Sequence, residues 1–191
     1  MNEKGIGFIE GKENKPKGVY LMVIPSMKNQ YTEFLVSDQY FTIKTDTENL
    51  TKNMKFIGSK ENDIFKKDMT AMSDLRTKTD LMRKKVANAD EETKKNTNEE
   101  ILKLNKVFLD NREKIVKDNP DMFYSDLLGL MKEIEIPEGE KDANGDLVNP
   151  YFGYQYWKDH YWDYTDFSEG GILRTPVYYN KLINFLDKRT E

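Results

Sequence analysis

From Gly18 to Ile57 the apolar residues come in short runs and alternations of the kind that form strands. Val19-Tyr20-Leu21-Met22-Val23-Ile24 is a β-branched and aromatic run bounded by Gly18 and Pro25, and it predicts one strand. Phe34-Leu35-Val36 and Tyr40-Phe41-Thr42-Ile43 flank the turn-forming Ser37-Asp38-Gln39 and predict a hairpin. Gly5 to Ile9 alternates small and apolar residues and predicts a further strand, with Lys12 to Lys17 as a polar turn behind it. Met54 to Ile57 predicts a short last one. Strands with no helix between them imply antiparallel pairing, so residues 1–57 are expected to form a small, partial antiparallel β domain.

At Gly58-Ser59 the period changes from about two to about three and a half. Ser59 is a suitable N-cap with Glu61 in the first turn, and Phe65, Met69, Met72, Leu75 or Arg76, Thr79, Met82 and Val86 then recur at helical spacing. The polar stretch Asn88 to Asn98 is expected to hold a turn. Beyond it Ile101, Leu104, Phe108, Asn111 and Ile115 repeat the pattern until Asn119-Pro120 stops it. Residues from about 59 to 118 therefore predict a long antiparallel helical hairpin, each arm reaching roughly 35–40 Å. Asp121 to Glu133 predicts a third helix with Met122, Phe123, Leu127, Leu130 and Met131 on its apolar face. A loop from Ile136 to Pro150 turns at Asp142-Ala143-Asn144-Gly145-Asp146, and an aromatic-rich segment occupies residues 151–167. Thr175 and Pro176 predict the cap and first residue of a last helix carrying Val177, Leu182, Ile183, Phe185 and Leu186. The expected fold class is α+β, a small N-terminal antiparallel sheet followed by a mainly α-helical domain over residues 58–191.

Composition narrows the function classes. Thirty Lys plus Arg nearly balance 34 Asp plus Glu, which argues against nucleic acid as the main partner. A mean hydropathy of −0.82 would suit a disordered chain, but 12% aromatic residues and long periodic apolar patterns supply a core. Cysteine is absent, which excludes disulfides, thiolate nucleophiles and Cys-ligated metal within these residues. No apolar run reaches the roughly 20 residues of a membrane span, and the first thirty residues carry no signal-peptide pattern.

Candidate chemistry is sparse. His160 is the one histidine, without a spaced nucleophile or companion ligands around it. Gly5 to Lys12 lacks the glycine spacing of a phosphate loop, and Glu13 stands where its Ser or Thr would be. Asp142, Asn144 and Asp146 have the spacing that opens a calcium loop, but Leu147 and Gly153 occupy the places of its glycine and its bidentate glutamate. Glu133, Glu135, Glu138 and Glu140 sit around a Pro- and Gly-containing loop with nothing to raise one pKa. No catalytic residue, cofactor or metal is expected. The remaining candidate is the aromatic segment: Tyr154, Trp157, His160, Tyr161 and Trp162 as a binding or interface surface, or as core. Asp163, Asp166 and Arg174 are expected to form an ion-pair or hydrogen-bond network fixing that segment.

The run Tyr161-Trp162-Asp163-Tyr164-Thr165-Asp166-Phe167-Ser168, followed by Ile172-Leu173-Arg174-Thr175-Pro176-Val177, resembles the helical domain that precedes the thioredoxin-like domain in TlpA-type, AhpC/TSA-family thiol-disulfide oxidoreductases of Bacteroidetes. Phe41 to Thr47 and Asn53 to Asn62 resemble the junction between the small β domain of those proteins and the helical one. The resemblance implies earlier strands and an exported N-terminus upstream, a Cys-x-x-Cys thioredoxin fold downstream, and hence a fragment. It implies location in the periplasm or cell envelope and a non-catalytic accessory role, in positioning, dimerisation or contact with a substrate protein. The expected partner is a protein or a covalently linked thioredoxin-like domain, with a homodimer as a further form of association. The alternative is a standalone envelope protein that takes glycan or peptide on its Tyr/Trp surface.

Overall fold

The computed structural model describes residues 6–8, 10–25, 28–46 and 48–189. It is an α+β structure with two small antiparallel sheets and, among the described residues, five α-helices. Strand β1 (Gly18–Ile24) pairs with β2 (Gln30–Val36) from Gly18↔Val36 to Ile24↔Gln30. Strand β3 (Thr42–Lys44) pairs with β4 (Lys55–Ile57). The expected hairpin of Phe34–Val36 with Tyr40–Ile43 is thus replaced by two others. β1 matches β2 in length and offers seven register pairs, whereas Ser37 to Tyr40 bend away toward the second sheet. Lys28 and Asn29, both with left-handed φ (55° and 57°), belong to the β1–β2 connection. The strand expected over Gly5 to Ile9 lies partly outside the described residues, and Ile6 to Phe8 are not in a strand. Rings of Tyr20, Phe34, Phe41 and Phe56 follow one another at 6.0–6.3 Å and tie the two sheets together.

Helix α1 (Lys60–Lys85) begins where Gly58 takes a φ of +88°, a conformation open to glycine, and Ser59 caps it by accepting the Asn62 N–H at 3.3 Å. Helix α2 (Glu91–Asp118) returns antiparallel to α1. Its start precedes most of the polar stretch expected to hold the turn. Asp90 caps it through Thr93, and Glu91 and Glu92 complement the positive helix end, so polar residues 91–98 are helical. Helix α3 (Phe123–Met131) is the centre of the molecule. Phe123, Tyr124, Leu127, Leu128 and Leu130 are all buried, so it is apolar around nearly its whole circumference. Around it stand Leu35 of β2, Phe65 of α1, and Ile172 of a 3-10 turn (Ile172–Arg174), with Ile115 and Val116 of α2 at the margin. Helix α4 (Phe152–His160) and helix α5 (Pro176–Arg189) complete the fold. Thr175 Oγ1 accepts the Tyr178 N–H and Pro176 stands at the first helical position. On α3, Gly129 is required by close approach: a Cβ there would lie 2.7 Å from the Tyr164 carbonyl oxygen.

Two polar clusters lie inside this core. Asn62, fully buried, accepts the Leu35 N–H at 2.7 Å and donates to the Leu35 carbonyl at 2.8 Å, so its amide acts as a one-residue strand on the outer edge of β2. Beside it Glu61 accepts the Tyr124 N–H on one oxygen and the Ser37 hydroxyl on the other. Farther along α1, Asp68 accepts a two-pronged contact from Arg112 of α2 at 2.8–3.2 Å and the Tyr124 hydroxyl at 2.7 Å. Burial, with that hydrogen bond onto Asp68, holds the Tyr124 phenol well above its ordinary pKa. Arg112, and not the exposed Asn111, occupies the inward position after Phe108, because Asp68 neutralises its guanidinium and the Phe108 ring, 4.5 Å away, covers it.

Removing the Asn62 amide strands two buried backbone groups of Leu35. Asn62→Ala is expected to lower stability by about 2–3 kcal/mol. A urea titration should show this as a lower midpoint at unchanged slope; a midpoint within error of the parent would refute the role given to Asn62.

Candidate interaction surface

The aromatic segment divides into a buried base and an open face. Tyr161 is buried, and its hydroxyl donates to the Lys181 carbonyl at 2.8 Å while accepting from Asn184 Nδ2 at 3.0 Å. The rings of Trp157, Tyr161 and Trp162 all meet Phe185 of α5, at 5.7, 5.0 and 5.6 Å. Trp162 also meets Tyr178 and Phe167, which places it at the margin of the main core. Lys181 threads this base. Its ammonium donates to the Leu130 carbonyl at 3.0 Å and lies 5.1 Å from the Tyr161 ring, and burial pulls its pKa below the ordinary value. Four aromatic rings and a half-buried cation therefore clamp α4, α5 and the end of α3 together.

The open face lies one helical turn away. Tyr154 stacks on Trp157 with centroids 6.1 Å apart and planes 29° from parallel, and the Lys188 ammonium sits 5.3 Å from the Trp157 ring. Tyr154 is 44% exposed and Tyr151, just before the helix, 68%. Positions 154, 157 and 161 fall on one face of α4 by their spacing of three and four. Tyr156 and His160 fall on another: the two rings lie 4.1 Å apart, and His160 Nδ1 is 2.6 Å from Asp163 Oδ2. The five sequence candidates are thus spread over three environments. Tyr161 and Trp162 form the base, Tyr154 lies on the pad with Trp157 joining it to the base, and His160 pairs with its own downstream carboxylate.

The network expected of Asp163, Asp166 and Arg174 is three separate local contacts. Asp163 holds His160; Asp166 Oδ1 accepts the Ser168 N–H and hydroxyl, which keeps its carboxyl below the ordinary pKa; and Arg174, exposed, donates to the Gly170 carbonyl at 2.9 Å. Arg174 heads toward solvent because it ends a 3-10 turn whose inward position is taken by Ile172. The buried ion pair that does exist, Asp68 with Arg112, carried a readable signal. Each is a charged residue in phase with an apolar stripe, three after Phe65 and four after Phe108. Asn62, three before Phe65, carried the same signal.

Other candidate chemistry resolves locally. Asp142 Oδ1 accepts the N–H groups of Asn144 and Asp146 at 2.8 and 3.0 Å, closing an Asx turn on itself, and the carboxylates from Glu133 to Glu140 are exposed. Among the described residues no group of three or more His, Cys, Asp or Glu is arranged to hold a metal ion, and no helix is long and apolar enough to cross a membrane. An open cleft of about 470 Å³ lies between the β1–β2 hairpin and the start of α1, bordered by Lys17, Ser37, Lys60, Glu61 and Met122. At its side the Lys17 ammonium meets Glu169 at 2.6 Å, a contact that raises the Lys17 pKa. Burial, with the negative charges of Asp166 and Glu169 added, pushes the nearby Asp126 carboxyl up to about 6. Comparison with protein-family models, curated proteins and solved structures gives no match to this chain.

Two outcomes follow from these electrostatics. Arg174→Ala is expected to change stability by no more than about 0.5 kcal/mol, as for an exposed residue, and a larger loss in thermal melting would restore the network reading. Asp126 has a folded-state pKa above its unfolded value of about 3.9, so the folded chain keeps this proton to higher pH. Its contribution is full below about pH 4 and is lost as pH rises through about 6. Half exposure and solvent screening leave about 1 kcal/mol of that. Urea unfolding of the parent and Asp126→Asn at pH 4 and pH 7 should show the variant gaining relative to the parent at the higher pH; no relative gain would contradict the raised value.

Proposed function

We propose that this chain is a non-catalytic contact module of a cell-envelope thiol-disulfide oxidoreductase, positioning a thioredoxin-like domain or the protein it acts on. The observation that carries this reading is an aromatic pad, exposed Tyr154 stacked on half-buried Trp157, mounted on a base that cannot shift without breaking the core. Tyr and Trp held rigidly at a surface lose little entropy on docking and form the anchors of protein interfaces. The segments that carry the resemblance to the oxidoreductase family support the same reading. Tyr161 and Trp162 belong to the base of the pad, and Thr175-Pro176 starts the helix that presents Phe185 and Lys188 to Trp157. In this reading the redox chemistry resides in the partner, and the location is the periplasm or cell envelope. A second reading, an envelope protein binding glycan or peptide, draws support from the accessible face of Tyr154, which suits stacking on a sugar ring.

Titration calorimetry separates the two. A purified thioredoxin-like domain bearing Cys-x-x-Cys is expected to bind, and Trp157→Ala, with unchanged helical circular dichroism, to weaken binding by about tenfold or more. Heat with an oligosaccharide or a short peptide and none with the thioredoxin-like domain at about 1 mM would overturn the first reading in favour of the second.

A further inference from the structure

The free edge of β1 carries an inference independent of the aromatic pad. Leu35 uses both its N–H and its carbonyl on Asn62, so at this position β2 points its hydrogen-bonding groups away from β1. Leu35↔Val19 is therefore a non-bonded pair of the antiparallel ladder, and the alternation of such ladders extends this to Leu21↔Glu33 and Val23↔Tyr31. Val19, Leu21 and Val23 consequently aim their N–H and C=O groups outward from the free side of β1. Among the described residues the sheet is two-stranded and no backbone group hydrogen-bonds to these three, the 3-10 turn Ile172–Arg174 packing beside β1 only near its start at Gly18.

The side chains of the same residues continue the face that bears Leu35. Leu35 is fully buried, but the face runs beyond the core, leaving Leu21 56%, Val23 50% and Tyr31 62% exposed. Edge strands in natural proteins are usually blunted by a charge, a proline or a bulge. Gly18–Ile24 contains no charged residue and no proline, and its register with β2 is unbroken.

We propose that this edge pairs with the same edge of a second copy of the chain, antiparallel about a two-fold axis at Leu21. Outward groups at 19, 21 and 23 are symmetric about 21, so Val19 meets the second copy's Val23, and Leu21 meets the second copy's Leu21. Each of the three pairs exchanges two N–H···O bonds, and β2-β1-β1-β2 becomes one four-stranded sheet. The apolar faces then merge, with Val beside Val and Leu beside Leu. Lys17, the nearest charge along the strand, falls opposite Pro25 of the second copy, and Glu33, beside Leu21 on β2, stays three strand spacings from its copy, so the pairing sets no like charges on adjacent strands. This self-matching of backbone and side chains selects a second copy over an unrelated strand.

Sedimentation equilibrium on the full chain tests it. The parent is expected to dimerise below about 1 mM, and Leu21→Lys and Leu21→Glu each to weaken dimerisation at least about tenfold, since each sets like charges face to face. Both changes fall on an exposed side chain, and circular dichroism checks that the fold is kept. An equimolar mixture of the two variants should regain association, because only pairing at 21 sets Lys against Glu. A monomeric parent, a Leu21→Lys dimer as tight as the parent, or a mixture that stays monomeric would each overturn the proposal. Edge amides of a monomeric parent that shift in NMR only on adding an extended apolar peptide would assign the edge to a foreign strand and equally overturn it.

Discussion

One buried side-chain amide joins the two kinds of secondary structure in this protein. Asn62 stands in the first turn of α1 and completes the hydrogen bonding of Leu35 in β2, while Ser59 holds the same amide from the cap position. Without it, a helix start would be pressed against a strand edge with two backbone groups out of reach of water, a cost no apolar residue could offset. Glu61 extends the joint by taking the Tyr124 N–H at the start of α3 and the Ser37 hydroxyl just after β2. Three elements thus converge on two consecutive residues. The same arrangement sets the phase of the β1–β2 ladder, and through it which backbone groups β1 turns outward.

From that joint the core is built around α3. A nine-residue helix is too short to be stable alone, and its burial on nearly every side supplies what length does not. The pair Asp68–Arg112, with the Tyr124 hydroxyl, then locks the two long helices against it. An ion pair so enclosed contributes less to stability than to register, because a slide of α2 by one residue would leave both charges buried and unpaired. Away from this lock the helices carry exposed apolar residues such as Leu81, Leu102 and Leu109, and they are held chiefly by their caps and by each other.

The aromatic segment illustrates how a surface is made from core. Tyr161, Trp162 and Phe185 are consumed in packing α4 and α5 onto α3, and this packing fixes Trp157, and Tyr154 stacked on it, in place at the surface. Lys181 contributes without showing itself, its charge held between a carbonyl and two rings. The aromatic pad on α4 and the edge of β1 are separate surfaces.

By itself the sequence determined the α+β class, the approximate positions of four of the strands, the caps at Ser59 and Thr175, and four of the five described α-helices, α4 being legible only as an aromatic-rich segment, because each rests on local rules: residue periodicity, β-branching, and side chains that satisfy neighbouring N–H groups. It also placed the aromatic residues in one segment. Strand pairing was decided only in three dimensions, since β2 could satisfy a local pattern with either flank and took β1, the longer match, while Asn62 closed its other edge. The onset of α2 was likewise a matter of one cap, Asp90, prevailing over eight polar residues that look like a turn. Which rings became base and which became pad, and why Arg112 went inward while Arg174 went out, depended on partners distant in the chain: Phe185 for Tyr161, Asp68 for Arg112, and Ile172 for the space Arg174 did not fill. Periodicity tells how a residue faces relative to its neighbours; only the packed chain supplies the charge, ring or carbonyl that it faces.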